Sequence, residues 1–275
     1  MIEITNLTFK YGFGKEIYSS FNLKLEKGKI YGILGKNGCG KTTLLNILST
    51  LLPGYNGSVC IDSIEAKERK SEYLQKIYFL PEIILDNRHS INDLMTNGSV
   101  YKSWNEEKFL QLTKRDGLDL KTKLKSLSKG QRKRAYFNQA IAANPEIMIL
   151  DEVTEGVDIL SQKDIIEDIK EYFSHEKTVL ISSHHIEEFE NIIDEFIIID
   201  SGKLLKQCTR EYIDTKFGWI PSIEANKIDV EDRKQTTKFI TEEYILVENI
   251  EKYKFLKFNK IDLATFLRQI IGKEN

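Results

Sequence analysis

Eight residues constrain this chain more than any others: Gly35-Lys36-Asn37-Gly38-Cys39-Gly40-Lys41-Thr42. They satisfy the pattern G-x-x-x-x-G-K-[ST], and they stand where that pattern has to stand. The aliphatic run KIYGIL precedes them, and TTLLNILSTLL, apolar at helical spacing, follows. A strand that turns through glycines into a helix aims backbone N–H groups at one point, because glycine reaches backbone angles that side chains forbid. The helix N-terminus adds partial positive charge at the same point. Such a loop is a cradle for phosphate, with Lys41 reaching the terminal phosphates as a point charge and Thr42 holding Mg²⁺.

A strand–loop–helix unit of this kind belongs to an α/β core. Further short aliphatic runs at Lys76 to Leu80, Ile147 to Leu150, Thr178 to Ser182 and Phe196 to Asp200 read as strands, and the helix-like stretches between them predict a largely parallel sheet. Residues 2 to 10 and 18 to 26 instead alternate, with Ile2, Ile4, Phe21, Leu23 and Leu25 in phase, which predicts half-buried antiparallel strands. From about Ile83 to Arg134 the chain turns polar and helix-like, with candidate helices at Ile91 to Asn97 and Asn105 to Asp116; this reads as a helical insertion. After about Thr209 comes a charged mixture ending in a segment where Leu263, Phe266, Leu267 and Ile270 share a helical face.

The run Ile147-Met148-Ile149-Leu150 ends in Asp151-Glu152. Ligands of open α/β sheets gather at the C-terminal ends of the strands, so these two carboxylates are expected beside the phosphate loop. Asp151 is placed to join the Mg²⁺ shell, and Glu152 to orient or deprotonate an attacking water.

Many nucleotide hydrolases share these two features; the class comes from Leu127-Ser128-Lys129-Gly130-Gln131, which is followed by the helix-like RKRAYFNQAIAANP and then by the acidic strand. Over residues 1 to 208 the order and spacing of the motifs resemble the ATP-binding-cassette ATPases. The resemblance implies an α/β fold with a P-loop NTPase core, an antiparallel β subdomain and a helical subdomain at about 83–134, leaving 209–275 as a small C-terminal appendage. It also implies ATP and Mg²⁺ as ligands. The segment from Gly35 through Thr43 would bind the nucleotide, Tyr11 resembles the aromatic that stacks on adenine, with Phe9 and Phe13 as competitors, and Ser128, Gly130 and Gln131 would meet the γ-phosphate held by a second subunit. Glu82, in KIYFLPE, stands where the family often has a glutamine that touches Mg²⁺. Asp158 resembles the aspartate of the loop that crosses the dimer interface, although Val153 and Glu155 replace the usual proline and serine. His184 resembles the histidine that contacts the γ-phosphate and acts with Glu152 in hydrolysis; His185 is adjacent, and Glu188 sets the register. Lys129 replaces the commonest glycine of its motif.

By the same resemblance, Leu-Pro-Glu in a single cassette suggests the ATPase of a bacterial exporter of peptides, antibiotics or similar amphiphiles. The expected partners are a membrane permease and a second ATP-binding subunit, and the expected place is the cytoplasmic face of the membrane. Cassette ATPases without a transport role, in translation, DNA maintenance or iron-sulphur assembly, are the alternative. Composition bears on the partner: 40 basic against 42 acidic residues give a net charge of -2, so no global positive field favours nucleic acid. The three cysteines, Cys39, Cys60 and Cys208, are scattered, without the close pairing of zinc sites, which suits a reducing compartment. The longest aliphatic runs have strand length, so no membrane span is expected.

Overall fold

The structure, a computed structural model, describes residues 1–84, 88–239, 242–253 and 255–272. The insertion expected from about Ile83 to Arg134 therefore has residues 85–87 outside the described part, and the tail has residues 240–241, 254 and 273–275 outside it.

The alternating N-terminal segments pair as expected. β1 (Ile2–Lys10) runs antiparallel to β2 (Glu16–Leu25), with Ile2 opposite Leu25 and Ile4 opposite Leu23. Ile2, Ile4, Phe21, Leu23 and Leu25 are all buried, which is what fixes the register, since a one-residue slip would turn them to solvent. β3 (Ile30–Leu34), buried at every position, leads through the glycine loop into α1 (Lys41–Leu48). β4 (Asn56–Ile61) and the short β5 (Ile64–Glu65) complete an antiparallel sheet of order β2-β1-β4-β5. β4 adds to the sequence-based expectation, because NGSVCI contains no apolar stretch long enough to read as a strand.

α2 (Ser71–Lys76) and β6 (Ile77–Leu80) precede the helical region, made of α3 (Ile91–Gly98), α4 (Glu106–Arg115) and α5 (Lys129–Ala143). α3 begins with a reciprocal cap in which Ser90 Oγ accepts from Asp93 N and the Asp93 carboxylate accepts from Ser90 N. Ile91, Leu94, Phe109, Leu118 and Leu124 form a separate apolar cluster against Ala135 and Ala142 of α5. The other side of α5, with Phe137, Ala140 and Ile141, packs into the main core, so α5 joins the helical region to the sheet. β7 (Ile147–Asp151), α6 (Ile159–Tyr172), β8 (Thr178–Ser182), β9 (Glu195–Asp200) and β10 (Lys203–Thr209) follow.

The central sheet has the order β10-β9-β3-β8-β7-β6 and is parallel except for β10 at its edge. β3 and β7 are separated only by β8, so the phosphate loop and the Asp151-Glu152 pair emerge from the same sheet edge two strands apart. A buried ion cluster holds the helical region to α6: Arg134 bonds Asp116 at 2.8 Å, and Arg115 bonds Asp168 at 2.7 Å. Each carboxylate has a second cationic partner, Asp168 in Arg134 at 3.5 Å and Asp116 in Arg115 at 3.2 Å, so the four charges form one network.

The C-terminal segment contains α7 (Arg210–Lys216), β11 (Phe217–Pro221), β12 (Arg233–Phe239), β13 (Glu242–Glu248) and α8 (Leu263–Gly272). Its strands form a third, antiparallel sheet of order β11-β13-β12 that composition did not reveal. The α8 face anticipated from spacing is the one that packs: Leu263 and Phe266 are fully buried, with Leu267 and Ile270 against them, in the cluster that also holds Phe217, Trp219 and Phe196.

Candidate functional site

Backbone conformation builds the phosphate loop. Gly35, Gly38 and Gly40 have φ of 156°, 76° and 117°, where a side chain is strained. At Gly35 a Cβ would also lie 2.1 Å from the Ile199 carbonyl oxygen. The Tyr18 hydroxyl donates to the Gly40 carbonyl at 2.8 Å, fastening the end of the loop to β2. The Lys41 ammonium donates to the carbonyls of Gly35 at 2.8 Å and Lys36 at 3.2 Å, so it lies across the loop it serves.

A cleft of about 330 Å³ opens over this loop, lined by Asn37, Gly38, Gly40, Lys41, Thr42, Thr43, Glu82, Glu152, Ser182 and His184, with Ile17 at its edge. Nine of the expected site residues thus converge on it. Tyr11 stands beside them: its hydroxyl is 3.2 Å from Thr43 Oγ1, and its ring meets Phe9 edge-on at 4.9 Å. Phe9 is buried and Phe13 fully exposed. Lys36 is exposed and Cys39 is buried, its thiol pushed up by burial.

The acidic end of β7 lies under the cleft. Asp151 is fully buried, and neither of its carboxylate oxygens meets a donor in hydrogen-bonding geometry. Burial pushes its pKa up, and the hydroxyls of Thr42 and Ser182 and the Lys41 ammonium offset only part of that. A buried carboxylate without a donor is costly unless a cation completes it, and hard oxygen donors such as Asp151 and Thr42 suit Mg²⁺. Glu152, 4% exposed, takes a left-handed φ of 50°. Its N–H donates to the Ser182 carbonyl at 2.8 Å, its Oε2 accepts from the His184 N–H at 3.1 Å, and its Oε1 lies 3.4 Å from His184 Nε2. Burial also raises the Glu152 pKa, which the His184 backbone N–H opposes. A raised pKa makes a carboxylate a better proton acceptor. His184 faces the cleft, whereas the His185 N–H turns to Ser183 Oγ at 3.0 Å.

Ser128, Gly130, Gln131 and Asp158 do not join this group. They line a second cleft of about 400 Å³ between the start of α5 and the turn before α6. Ser128 caps α5: its Oγ accepts from Gln131 N at 3.1 Å, and its own N–H donates to Gln131 Oε1 at 3.1 Å. The hydroxyl proton of Ser128 remains to donate elsewhere. Gly130 packs on the turn after β7, where a Cβ would come 2.6 Å from the Gly156 carbonyl oxygen. Asp158 caps α6 by accepting from Ser161 N at 3.1 Å.

Two departures from the family motif meet here. Lys129 Nζ bonds Glu155 Oε1 at 2.9 Å, so each offsets the other's charge. One residue has a place that the sequence reading did not give it, since in the basic run Lys129, Arg132, Lys133 and Arg134 it is expected on a solvated or phosphate-facing side of the helix. Lys133, 1% exposed, donates from its ammonium to the Glu152 carbonyl, and only its place in a helix spacing of basic residues could have drawn notice.

Residues 18–155, half of the chain, match the family model described as ABC transporter. The chain is 30% identical over 216 residues to the ABC transporter ATP-binding protein NatA of Bacillus subtilis, covering 74% of this chain and 88% of NatA. It is 30% identical over 214 residues to the lantibiotic transport ATP-binding protein SrtF of Streptococcus pyogenes, covering 77% and 91% of the two chains. Among solved structures, a dimeric ATP-binding cassette in a post-hydrolysis state with ADP and Pi overlays with a TM-score of 0.66 at 23% identity, covering 76% of this chain and 98% of that one. With the phosphate loop, the Asp151-Glu152 edge and the second cleft in place, the fold and the relatives agree, and the chain belongs to the ABC transporter family as an ATP-hydrolysing, ATP-binding subunit.

Proposed function

We propose that this chain works as one of a pair of ATP-binding subunits beneath a membrane permease, and that two ATP molecules join the pair. One observation carries the reading: the loop, Glu152 and His184 line one cleft, while Ser128 and Gly130 open onto another. A phosphate held at the first cleft meets the second only if another subunit supplies it. In this arrangement Lys41 binds the terminal phosphates, and Tyr11 borders the base. Thr42 and Asp151 would hold Mg²⁺, with Glu82 lining the same cleft; bound there, the ion neutralises charge on phosphate oxygens. Glu152 orients the attacking water and accepts its proton, and His184 places a donor beside the growing charge. Catalysis is mostly positioning and charge stabilisation.

Residues 1–208 form the cassette in this reading, and 209–275 an appendage with its own small cluster of Ile220, Ile228, Val247 and Tyr253. Among the described residues no helix is long and apolar enough to cross a membrane, so attachment to the cytoplasmic face is through the permease. Ile83 and Ile84, on the groove between Glu82 and the start of α5, are the surface for it. SrtF's name concerns lantibiotic transport, which favours export of peptides, antibiotics or similar amphiphiles. The test is fractionation with and without a co-expressed permease. The protein sediments with membranes only when the permease is present, and Ile83→Asp releases it while ATP binding survives. Equal membrane recovery without the permease would refute the docking.

A further inference from the structure

Lys133 lies one turn into α5, on the side of the helix that faces the turn after β7. A lysine 1% exposed loses most of its hydration, and burial lowers its pKa accordingly. Such a group persists only where it has something to hold. What it holds is the carbonyl oxygen of Glu152, the residue whose side chain faces the cleft. That residue has a backbone that needs holding, because φ of 50° is strained for a side chain of this size. The peptide on its N-terminal side is fixed by the bond from Glu152 N to the Ser182 carbonyl, and the side chain by the His184 N–H. On the C-terminal side the Glu152 carbonyl accepts from the Glu155 N–H of the same turn at 3.1 Å, and Lys133 adds a second, charged donor that ties the turn to α5.

We propose that Lys133 is a positioning residue for hydrolysis: by holding the Glu152 carbonyl it fixes the left-handed turn that aims the Glu152 carboxylate into the cleft. The inference rests on the reading of Glu152 as the group that orients the water. It assigns Lys133 a role distinct from nucleotide binding, since Lys133 does not line the cleft over the phosphate loop. The link also joins α5, capped by Ser128, to the hydrolytic turn of the same subunit.

The experiment compares steady-state ATPase kinetics, affinity for a fluorescent ATP analogue and thermal melting for the full chain and its variants. Lys133→Met keeps the length and volume of the side chain but removes the donor. Its kcat is expected to fall about 10- to 100-fold, on the scale of a misplaced catalytic group, with KM and nucleotide affinity within about twofold of the native chain. Lys133→Gln, a neutral donor that reaches less far, should recover part of that loss. A Met variant with native kcat would overturn the proposal, as would a loss of kcat matched by an equal loss of nucleotide affinity in both variants. Should the Met variant fail to fold, the Gln variant decides alone: reduced kcat at unchanged affinity supports the role, and native kcat refutes it. Glu152→Gln in the same assay separates the two readings. If it hydrolyses ATP at the native rate, the underlying assignment fails; if it is inactive while Lys133→Met is native, only the role of Lys133 fails.

Discussion

Replacing Glu152 by Gln tests the sandwich directly, because it preserves the size of a side chain held between the His184 N–H and Nε2 and removes only its basicity. Loss of a general base slows a reaction by about 10²- to 10⁴-fold, or roughly 3 to 5 kcal/mol of barrier. With hydrolysis that slow, the ATP-bound pair should persist long enough to run as a dimer on a sizing column with MgATP and as a monomer without it. The second cleft supplies the control. Gly130→Asp is a poor choice, because any Cβ there meets the Gly156 carbonyl at 2.6 Å and would distort the turn after Glu152. Ser128→Asp is cleaner: aspartate keeps the helix cap that Ser128 makes to Gln131, yet sets a negative charge where the γ-phosphate of the other subunit would arrive. Two unit charges about 4 Å apart at an effective dielectric near 20 repel by about 4 kcal/mol, close to a thousandfold in association. The combined Glu152→Gln, Ser128→Asp variant should therefore remain monomeric with MgATP while binding nucleotide as the single Gln variant does. If it dimerises like the single variant, Ser128 does not face a phosphate and the two-cleft argument is wrong.

Other consequences concern the loop, the appendage and the thiols. Gly35→Ala should lower the melting temperature and weaken ATP binding together, since φ of 156° and the Ile199 carbonyl both exclude a Cβ; a variant with native melting would show that the loop tolerates the methyl. At Asp232 burial pushes the carboxyl up, but bonds from Asn249, Lys252 and Tyr253 outweigh it and hold the pKa at about 2 against 3.8 unperturbed. A depressed pKa stabilises the fold above about pH 4 and ceases to do so as pH falls through 2. Trp219 fluorescence should therefore report loosening of the third sheet in that window, and Asp232→Asn should remove the pH dependence while lowering stability at neutral pH. Cys39 is buried with its thiol pushed up, so maleimide should leave it unmodified in the native chain, and mass spectrometry finding rapid labelling there would contradict the packing of the loop.

Much of the core was legible because its signals are local. Ile30–Leu34, Ile147–Asp151 and Thr178–Ser182 are buried on both faces, so each is a continuous aliphatic run, and the glycine loop is one contiguous pattern. The alternation in β1 and β2 was legible for the opposite reason, one face wet and one dry. β4 and β12 escaped, since NGSVCI and RKQTTKF carry little apolar content and owe their strand conformation to the neighbours they pair with. By itself the sequence determined which residues form the phosphate loop and which carboxylates end a core strand, because each is set by residues a few positions away. Tertiary structure alone decided that β3 and β7 lie two strands apart, that the phosphate loop and Ser128 open onto different clefts, and that Lys133 reaches back to Glu152. Those relations join residues from 19 to more than a hundred positions apart, and only long-range packing of helices and strands brings them together.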